Sequence, residues 1–414
     1  MTRPPQQLTS VRWASLFPWL LLVRAARVAV MLRVIALAVV GVAATYGGWR
    51  LIDSLQPESP ALVNLEAAPH ELHRLGMPPL PAIGDTFAPI EADTLLGPFV
   101  AAWRWYAQPF VVMLQAAGWG AWFSGALAGA WLIAVWGLFG GAIARIAGVY
   151  LTYGETLGPL AALRAAARKW LAAVGALLLV AVAVAVVALP LVLVGLLLRF
   201  DLMTLLLGIV WLAALVGGAV VAILVGGLAF GWPLMFSTVA VERTDAFDAI
   251  SRGFAYLYQR PLHLLFYVVV ASLLGLPLQV AVTLAADATS AATTWAVSIG
   301  AGEGRLDDLG LDGDGVSRNV SAVGEFGSAA ILFWTGAIRA AATYFPLAYF
   351  WCATPAIYLL LRREIDGTEL TDVVFDEGDP KIGLPRLTPD AATGVLQVER
   401  TDAAAPSARA EANE

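Results

Sequence analysis

The chain has 414 residues, 59% hydrophobic and only 14% charged, with a mean hydropathy of +0.76. Soluble domains carry about 25% charged residues, so composition excludes an ordinary soluble globular protein and indicates a membrane protein. The formal net charge of −6 conceals a sorting of charge along the chain, and the lone cysteine, Cys352, excludes an internal disulfide and a cysteine metal centre.

Residues 1–33 read as an N-terminal segment lying at the membrane surface. Over about 8–24, Trp13, Phe17, Leu20 and Leu21 accompany Arg12 and Arg24, and aromatic rings favour the headgroup level. Arg12, Arg24, Arg27 and Arg33 precede the first long apolar run, which starts too far along for a cleavable signal. The run 34–52 therefore reads as a retained membrane helix. A membrane helix needs about 20 mostly apolar residues. Five further runs qualify: 119–143, 171–198, 203–232, 264–285 and 329–361. The last exceeds one span, and Arg339 divides it. The expected core span is 341–361, with the Arg339 head snorkelling to the interface. The fold class is all-α: a six-helix transmembrane bundle occupying 34–361.

Charge bias sets the expected orientation. The connection 53–94 is acidic, with Asp53, Glu58, Glu66, Glu71, Asp85, Glu91 and Asp93 against Arg74. The connection 286–328 is acidic too, whereas 144–170 carries Arg145, Arg164, Arg168 and Lys169 against Glu155. Acidic loops outside and basic ones inside give six spans with both termini cytoplasmic, in the inner membrane of a bacterium. The tail 362–414 is polar, and its closing "TDAAAPSARAEANE" is expected to be disordered. The loop 300–324 is Gly- and Asp-rich and expected to be mobile.

Two more segments read as interfacial helices. The first is 97–116, where Trp103, Trp105, Tyr106 and Phe110 flank Arg104. The second is "DAFDAISRGFAYLYQRP" at 245–261. Its apolar positions 246, 247, 250, 254, 257 and 258 share one helical face. Asp248 and Arg252, four apart, can pair on the other, expected to face water. Asp245 or Thr244 is the expected N-cap, and Pro261 ends the helix where the chain turns into the next span. A counterpart at 155–170 aligns without gaps, Glu155 with Glu242 and Leu163 with Ile250. Such cytoplasmic elbow helices between membrane hairpins would form an internal repeat; unrelated amphipathic connectors would look the same.

"WGLFGGAIARIA" (136–147), the block 230–267 and "YLLLRREIDGTELTDVVF" (358–375) resemble a group of multi-pass membrane proteins of planctomycete-type bacteria for which no activity is established. The resemblance covers about 110–375. The layout also resembles the membrane domain that accompanies glycerophosphoryl diester phosphodiesterases, without their catalytic domain. The resemblance implies topology and no activity.

Signatures of chemistry are sparse. "HELH" places His70, Glu71 and His73 together, but the metalloprotease pattern needs its two histidines four apart, and zinc wants more ligands. In "DDLGLDGDG", setting Gly315 at the EF-hand glycine puts Gly310 and Ser321 where acids belong. No Walker loop occurs, so no cofactor is expected. Gly137 and Gly141, like Gly227 and Gly231, have the spacing for close helix packing. Pro190, Pro277, Pro346 and Pro355 kink or break spans without charged partners. The few basic residues are interleaved with apolar ones, which suits anionic lipid headgroups rather than nucleic acid. The expected partners are membrane lipids; protein partners and oligomeric state are not readable. The expected role is non-enzymatic: structural, scaffolding or membrane-organising. A transporter or lipid-handling protein with a site between the repeat halves is the rival, and a metal enzyme using the His70–His73 loop the remote one.

Overall fold

The computed structural model describes residues 17–55, 97–115, 118–310, 320–370, 387–389 and 396–398. It divides into two units, Met1–Asp372 and Val373–Glu414. In the second, β1 (Leu387–Pro389) pairs antiparallel with β2 (Leu396–Val398), Thr388 opposite Gln397. The His70–His73 loop, the calcium-like run beyond 310 and the closing tail residues lie outside the described residues.

The first unit is helical. In chain order it comprises α1 (Leu20–Ala29), α2 (Leu32–Leu55), α3 (Gly97–Gln115), α4 (Trp119–Tyr153), α5 (Pro159–Leu197) and α6 (Asp201–Ile209). They are followed by α7 (Trp211–Glu242), α8 (Ala246–Gln259), α9 (Pro261–Ala301), α10 (Glu303–Asp308), α11 (Ala322–Thr343) and α12 (Phe345–Ile365). Among the described residues, six stretches are long and apolar enough to cross a membrane: α2, α4, α5, α7, α9 and the run 322–365. The all-α transmembrane architecture stands.

The helices overrun the expected spans. α5 has 39 residues and α9 has 41, about 60 Å each at 1.5 Å per residue, against a hydrocarbon core of about 30 Å. Hydropathy trims a span at its first polar residues, but Ala-rich backbone stays helical beyond them. So 286–301, expected as loop, continues α9, and α10 follows it.

Four local expectations are corrected. First, the chain breaks at Tyr344, not Arg339; α11 runs through Arg339, which is half-buried with its Nε buried and without a hydrogen-bond partner among the described residues. Pro346 in the first turn of α12 has no N–H to continue the α11 ladder. Second, the first elbow is no separate element. Gly154 ends α4 in the left-handed conformation, and from Pro159 one helix runs through the basic face into the span. Where the second copy has Pro261, the aligned position is Val174, which breaks nothing. Third, α3 does not lie on the surface: Phe99, Ala102, Trp105 and Tyr106 are buried, and it packs against α4, α9 and α12. Its first residue, Gly97 at φ +72, sits so close to α9 that a Cβ would meet the Ser272 carbonyl oxygen at 2.6 Å. Fourth, α1 is wedged in rather than laid on: Leu21, Leu22, Ala25, Val28 and Ala29 are buried, and it packs against α12.

α12 is the axis of the bundle. Every residue from Phe345 to Arg362 is buried. Around its middle, Trp351 stacks on Trp136 of α4, with ring centroids 6.2 Å apart and planes 6° from parallel. Phe350 meets Tyr106 of α3 and Trp232 of α7, each at 5.4 Å. Two of the ring nitrogens are satisfied: Trp351 Nε1 donates to the Tyr106 hydroxyl at 2.7 Å, and Trp136 Nε1 to Thr45 Oγ1 at 3.1 Å. Gly140 makes room for the Trp351 indole, which a Cβ there would meet at 2.3 Å.

Candidate functional site

The largely buried charged side chains of Arg145, Glu242 and Arg362 gather at the basic end of the bundle, where α4, α7 and α12 finish and α8 and α9 begin. α7 ends on Glu242, followed by Arg243 in the left-handed region at φ 59. Glycine normally takes that C-cap, and another residue costs about 1 kcal/mol there. The turn sends the chain back along α7 as α8. Asp245 caps α8, its carboxylate accepting the Asp248 N–H at 2.9 Å.

The fully buried positions of α8 lie beside its apolar stripe, and only part of the stripe turns inward. Ala249, Gly253 and Tyr256 are buried, whereas Phe247 is 72% exposed. Small residues permit the contact: Gly253 approaches the Gly231 carbonyl of α7, and the Phe254 ring occupies the space beside Gly227. Tyr258 donates from its hydroxyl to the Ile223 carbonyl at 2.5 Å. α8 is therefore docked on α7. Gly137 and Gly141 serve the same purpose elsewhere: they face Trp170, Val174 and Ala166 of α5.

Glu242 is the centre of the site. Its side chain is only 8% exposed. Oε1 accepts a hydrogen bond from the Tyr358 hydroxyl at 2.5 Å and pairs with Arg362 Nε at 2.9 Å. Oε2 pairs with Arg252 Nη1. Arg252 also donates from Nε to Asp248 Oδ1 at 3.0 Å. Two acids and two arginines thus balance. Asp248 and Arg252 do form the expected pair four apart, but Arg252 reaches inward to Glu242 instead of facing water. Burial lowers the Arg252 pKa; Tyr358, Glu242 and Asp248 outweigh this, so it stays above its ordinary value.

A second layer extends the network. Tyr256 donates to Asp366 Oδ2 at 2.5 Å, with its ring 5.6 Å from that of Tyr358. Burial, reinforced by Asp366, pushes the Tyr256 hydroxyl up, so it remains a proton donor. Tyr267 donates to Glu364 Oε1, and His263 Nε2 stands 3.7 Å from Glu364 Oε2. Pro261 starts α9 after the break at Arg260 and so fixes where His263 and Tyr267 enter. They border an open groove of about 340 Å³ with Pro18 and Trp19.

Both Glu242 oxygens are engaged, so this carboxylate is a clamp joining α7, α8 and α12, not a poised base. A buried pair of this kind gives little net stability over an apolar contact, yet losing one partner costs about 3–5 kcal/mol. Among the described residues no cluster of three His, Cys, Asp or Glu could hold a metal ion. Of the residues singled out by sequence, the site assembles Asp248, Arg252 and Pro261. Gly137 and Gly141 lie on the neighbouring α4–α5 contact, and Arg339 is on α11. Sequence reading missed Glu242, Tyr358 and Arg362, because the clamp joins residues more than a hundred positions apart. The available signal was Glu242 and Arg243 ending a run, 202–241, with no charge. No family model matches the chain, and neither any curated protein nor any solved structure does.

Proposed function

We propose that the chain is a non-enzymatic, membrane-organising protein of a bacterial inner membrane, with the clamp and both termini on the cytoplasmic side. The observation that carries this reading is the filled middle of the bundle. There Trp136, Trp351, Phe350, Tyr106 and Trp232 interlock around α12. A carrier needs a cavity at this depth and broken helices that line it. α3 does begin inside the bundle, at Gly97 against Ser272, which is the one observation favouring a carrier; aromatic side chains occupy the space beside it. The charge bias supports the orientation: Arg145, Arg164, Arg168 and Lys169 lie at the clamp end.

Cys352, fully buried at mid-bundle, tests the reading. Membranes holding the protein are treated with a small, water-soluble methanethiosulfonate reagent, with a detergent-denatured sample as the positive control. A static packed bundle gives no labelling until it is denatured. Labelling of the folded protein would mean that water reaches α12, and the carrier reading replaces this one.

A further inference from the structure

The groove beside the clamp brings a carboxylate and aromatic rings together. Trp19 just before α1, Leu262, His263, Phe266 and Tyr267 on the first two turns of α9, and Glu364 at the end of α12 border it. Its volume of about 340 Å³ falls at the lower end of small-molecule sites, about 300–1,000 Å³. Glu364 supplies the charge, with its side chain 29% exposed. Oε1 accepts from the Tyr267 hydroxyl, and Oε2 stands 3.7 Å from His263 Nε2, too far for a hydrogen bond. A carboxylate has about four acceptor positions on its two oxygens, so these contacts leave it able to accept from a further donor.

The start of α9 sets the depth. Leu262, Leu265, Phe266, Val269 and Leu273 are exposed and share one helical face. No Asp, Glu, Lys or Arg occurs from Pro261 to Ala286, so this face suits lipid. Arg260 just before the run and Glu364 beside it mark the level where hydrocarbon gives way to headgroups. An acid at that level attracts an ammonium. The rings of Trp19, Phe266 and Tyr267 favour the same charge, because an aromatic face is electronegative. A primary ammonium also brings three N–H donors, which a carboxylate meets with short charge-assisted hydrogen bonds. A trimethylated ammonium has no such donor.

We propose that this groove holds the headgroup of one phosphatidylethanolamine molecule. Its ammonium sits on Glu364 among the rings of Trp19, Phe266 and Tyr267, its phosphate lies toward His263, and its acyl chains run along the exposed face of α9. The lipid is a fixed ligand, distinct from the surrounding bilayer. The inference rests on the membrane-organising reading only in placing this end of the bundle at a headgroup layer. Cys352 labelling reports on the core and lipid retention on the groove, so either can fail alone.

The full chain is reconstituted in nanodiscs of equal phosphatidylethanolamine, phosphatidylcholine and phosphatidylglycerol, and the lipid retained on extraction is counted by native mass spectrometry. The expected result is one phosphatidylethanolamine, kept in preference to the other two. Glu364→Gln, which keeps an acceptor for Tyr267 but loses the charge, lowers its retention by roughly tenfold, the size of one hydrogen bond to a charged group. Phe266→Leu lowers it by about threefold, and alone carries the test if Glu364→Gln melts below the unaltered chain. Glu155→Gln, which removes an exposed acid outside the groove, leaves retention unchanged. Equal or preferential retention of phosphatidylcholine or phosphatidylglycerol overturns the proposal. So does retention that survives either groove substitution in a protein of unaltered melting temperature, or a comparable fall in Glu155→Gln. Full displacement by millimolar phosphoethanolamine overturns it too, by assigning the groove to a soluble amine.

Discussion

α12 and the outer half of the α5–α7 hairpin are both apolar on all sides, yet they have opposite surroundings. In the run 322–365, which ends in α12, the most apolar stretch is 94% buried within the protein; in α5 and α7 the corresponding figures are 11% and 6%. No residue from Ala181 to Gly226 is buried. A helix that is apolar all round must leave water, but lipid and protein are equally apolar hosts. What separates the two is side-chain kind. The hairpin is mostly Leu, Val, Ala, Ile and Gly, which lipid accepts without loss. α12 carries Tyr349, Trp351, Thr354 and Tyr358, whose polar atoms need protein partners at this depth. Tyr349 finds the Ala271 carbonyl at 2.6 Å, and Trp351 finds Tyr106. In a membrane, helices associate by packing and hydrogen bonds, not by the hydrophobic effect; the less apolar segment is therefore the one that becomes the core.

The largest expected difference between the two regions comes from side-chain truncation. Trp351→Ala removes the ring on which α3, α4 and α7 converge and costs about 3–5 kcal/mol, read as thermal unfolding in detergent. Val186→Ala, on the exposed hairpin, changes stability by no more than about 0.5 kcal/mol. A comparable loss at Val186 would mean that this surface packs against another protein and that the contrast with α12 is false.

The polar ends of the two regions sharpen the comparison next. Glu242→Gln strips the carboxylate from two arginines at the base of α12 and costs about 3 kcal/mol. Asp201→Asn at the exposed hairpin tip costs less than about 0.5 kcal/mol. Restoring neutrality by Glu242→Gln/Arg252→Gln should recover part of the loss; a strictly additive double variant would show that the two side chains do not couple.

The smallest effect is a pH dependence. Burial and the Asp366 carboxylate hold the Tyr256 hydroxyl above the ordinary value of about 10. The folded protein therefore keeps this proton longer than the unfolded chain does. The associated stability is complete below about pH 10 and is lost as pH rises beyond it. Tyr256→Phe costs about 1 kcal/mol at neutral pH and should flatten the alkaline decline. An unchanged slope in urea or thermal melts at high pH would remove Tyr256 from the network.

Much of the architecture was legible in residues whose meaning is local. Hydropathy located the spans, Asp245 and Pro261 marked the ends of α8, and Asp248 with Arg252 announced a pair four apart. The misreadings share one cause. Trp105 and Tyr106 suggest an interfacial helix because aromatics favour headgroups, yet they also favour crowded cores, and α3 took the second course. The apolar stripe of α8 pointed to one buried face, but glycines at 231 and 253 draw the neighbouring face closest to α7, while Gly227 seats Phe254 of the stripe. Gly140 carried no visible sign that it would seat Trp351.

The sequence by itself determined that this chain leaves water, how many times it can cross a bilayer, and which connections are basic. Those properties are sums over neighbouring residues, and they need no knowledge of what lies opposite. Only the tertiary structure decided which apolar helix is the axis, that Glu242 meets Arg252, Tyr358 and Arg362, and that Trp19, Phe266 and Glu364 border one groove. These depend on helix–helix packing, where small residues set how near two backbones come and buried polar atoms select their partners.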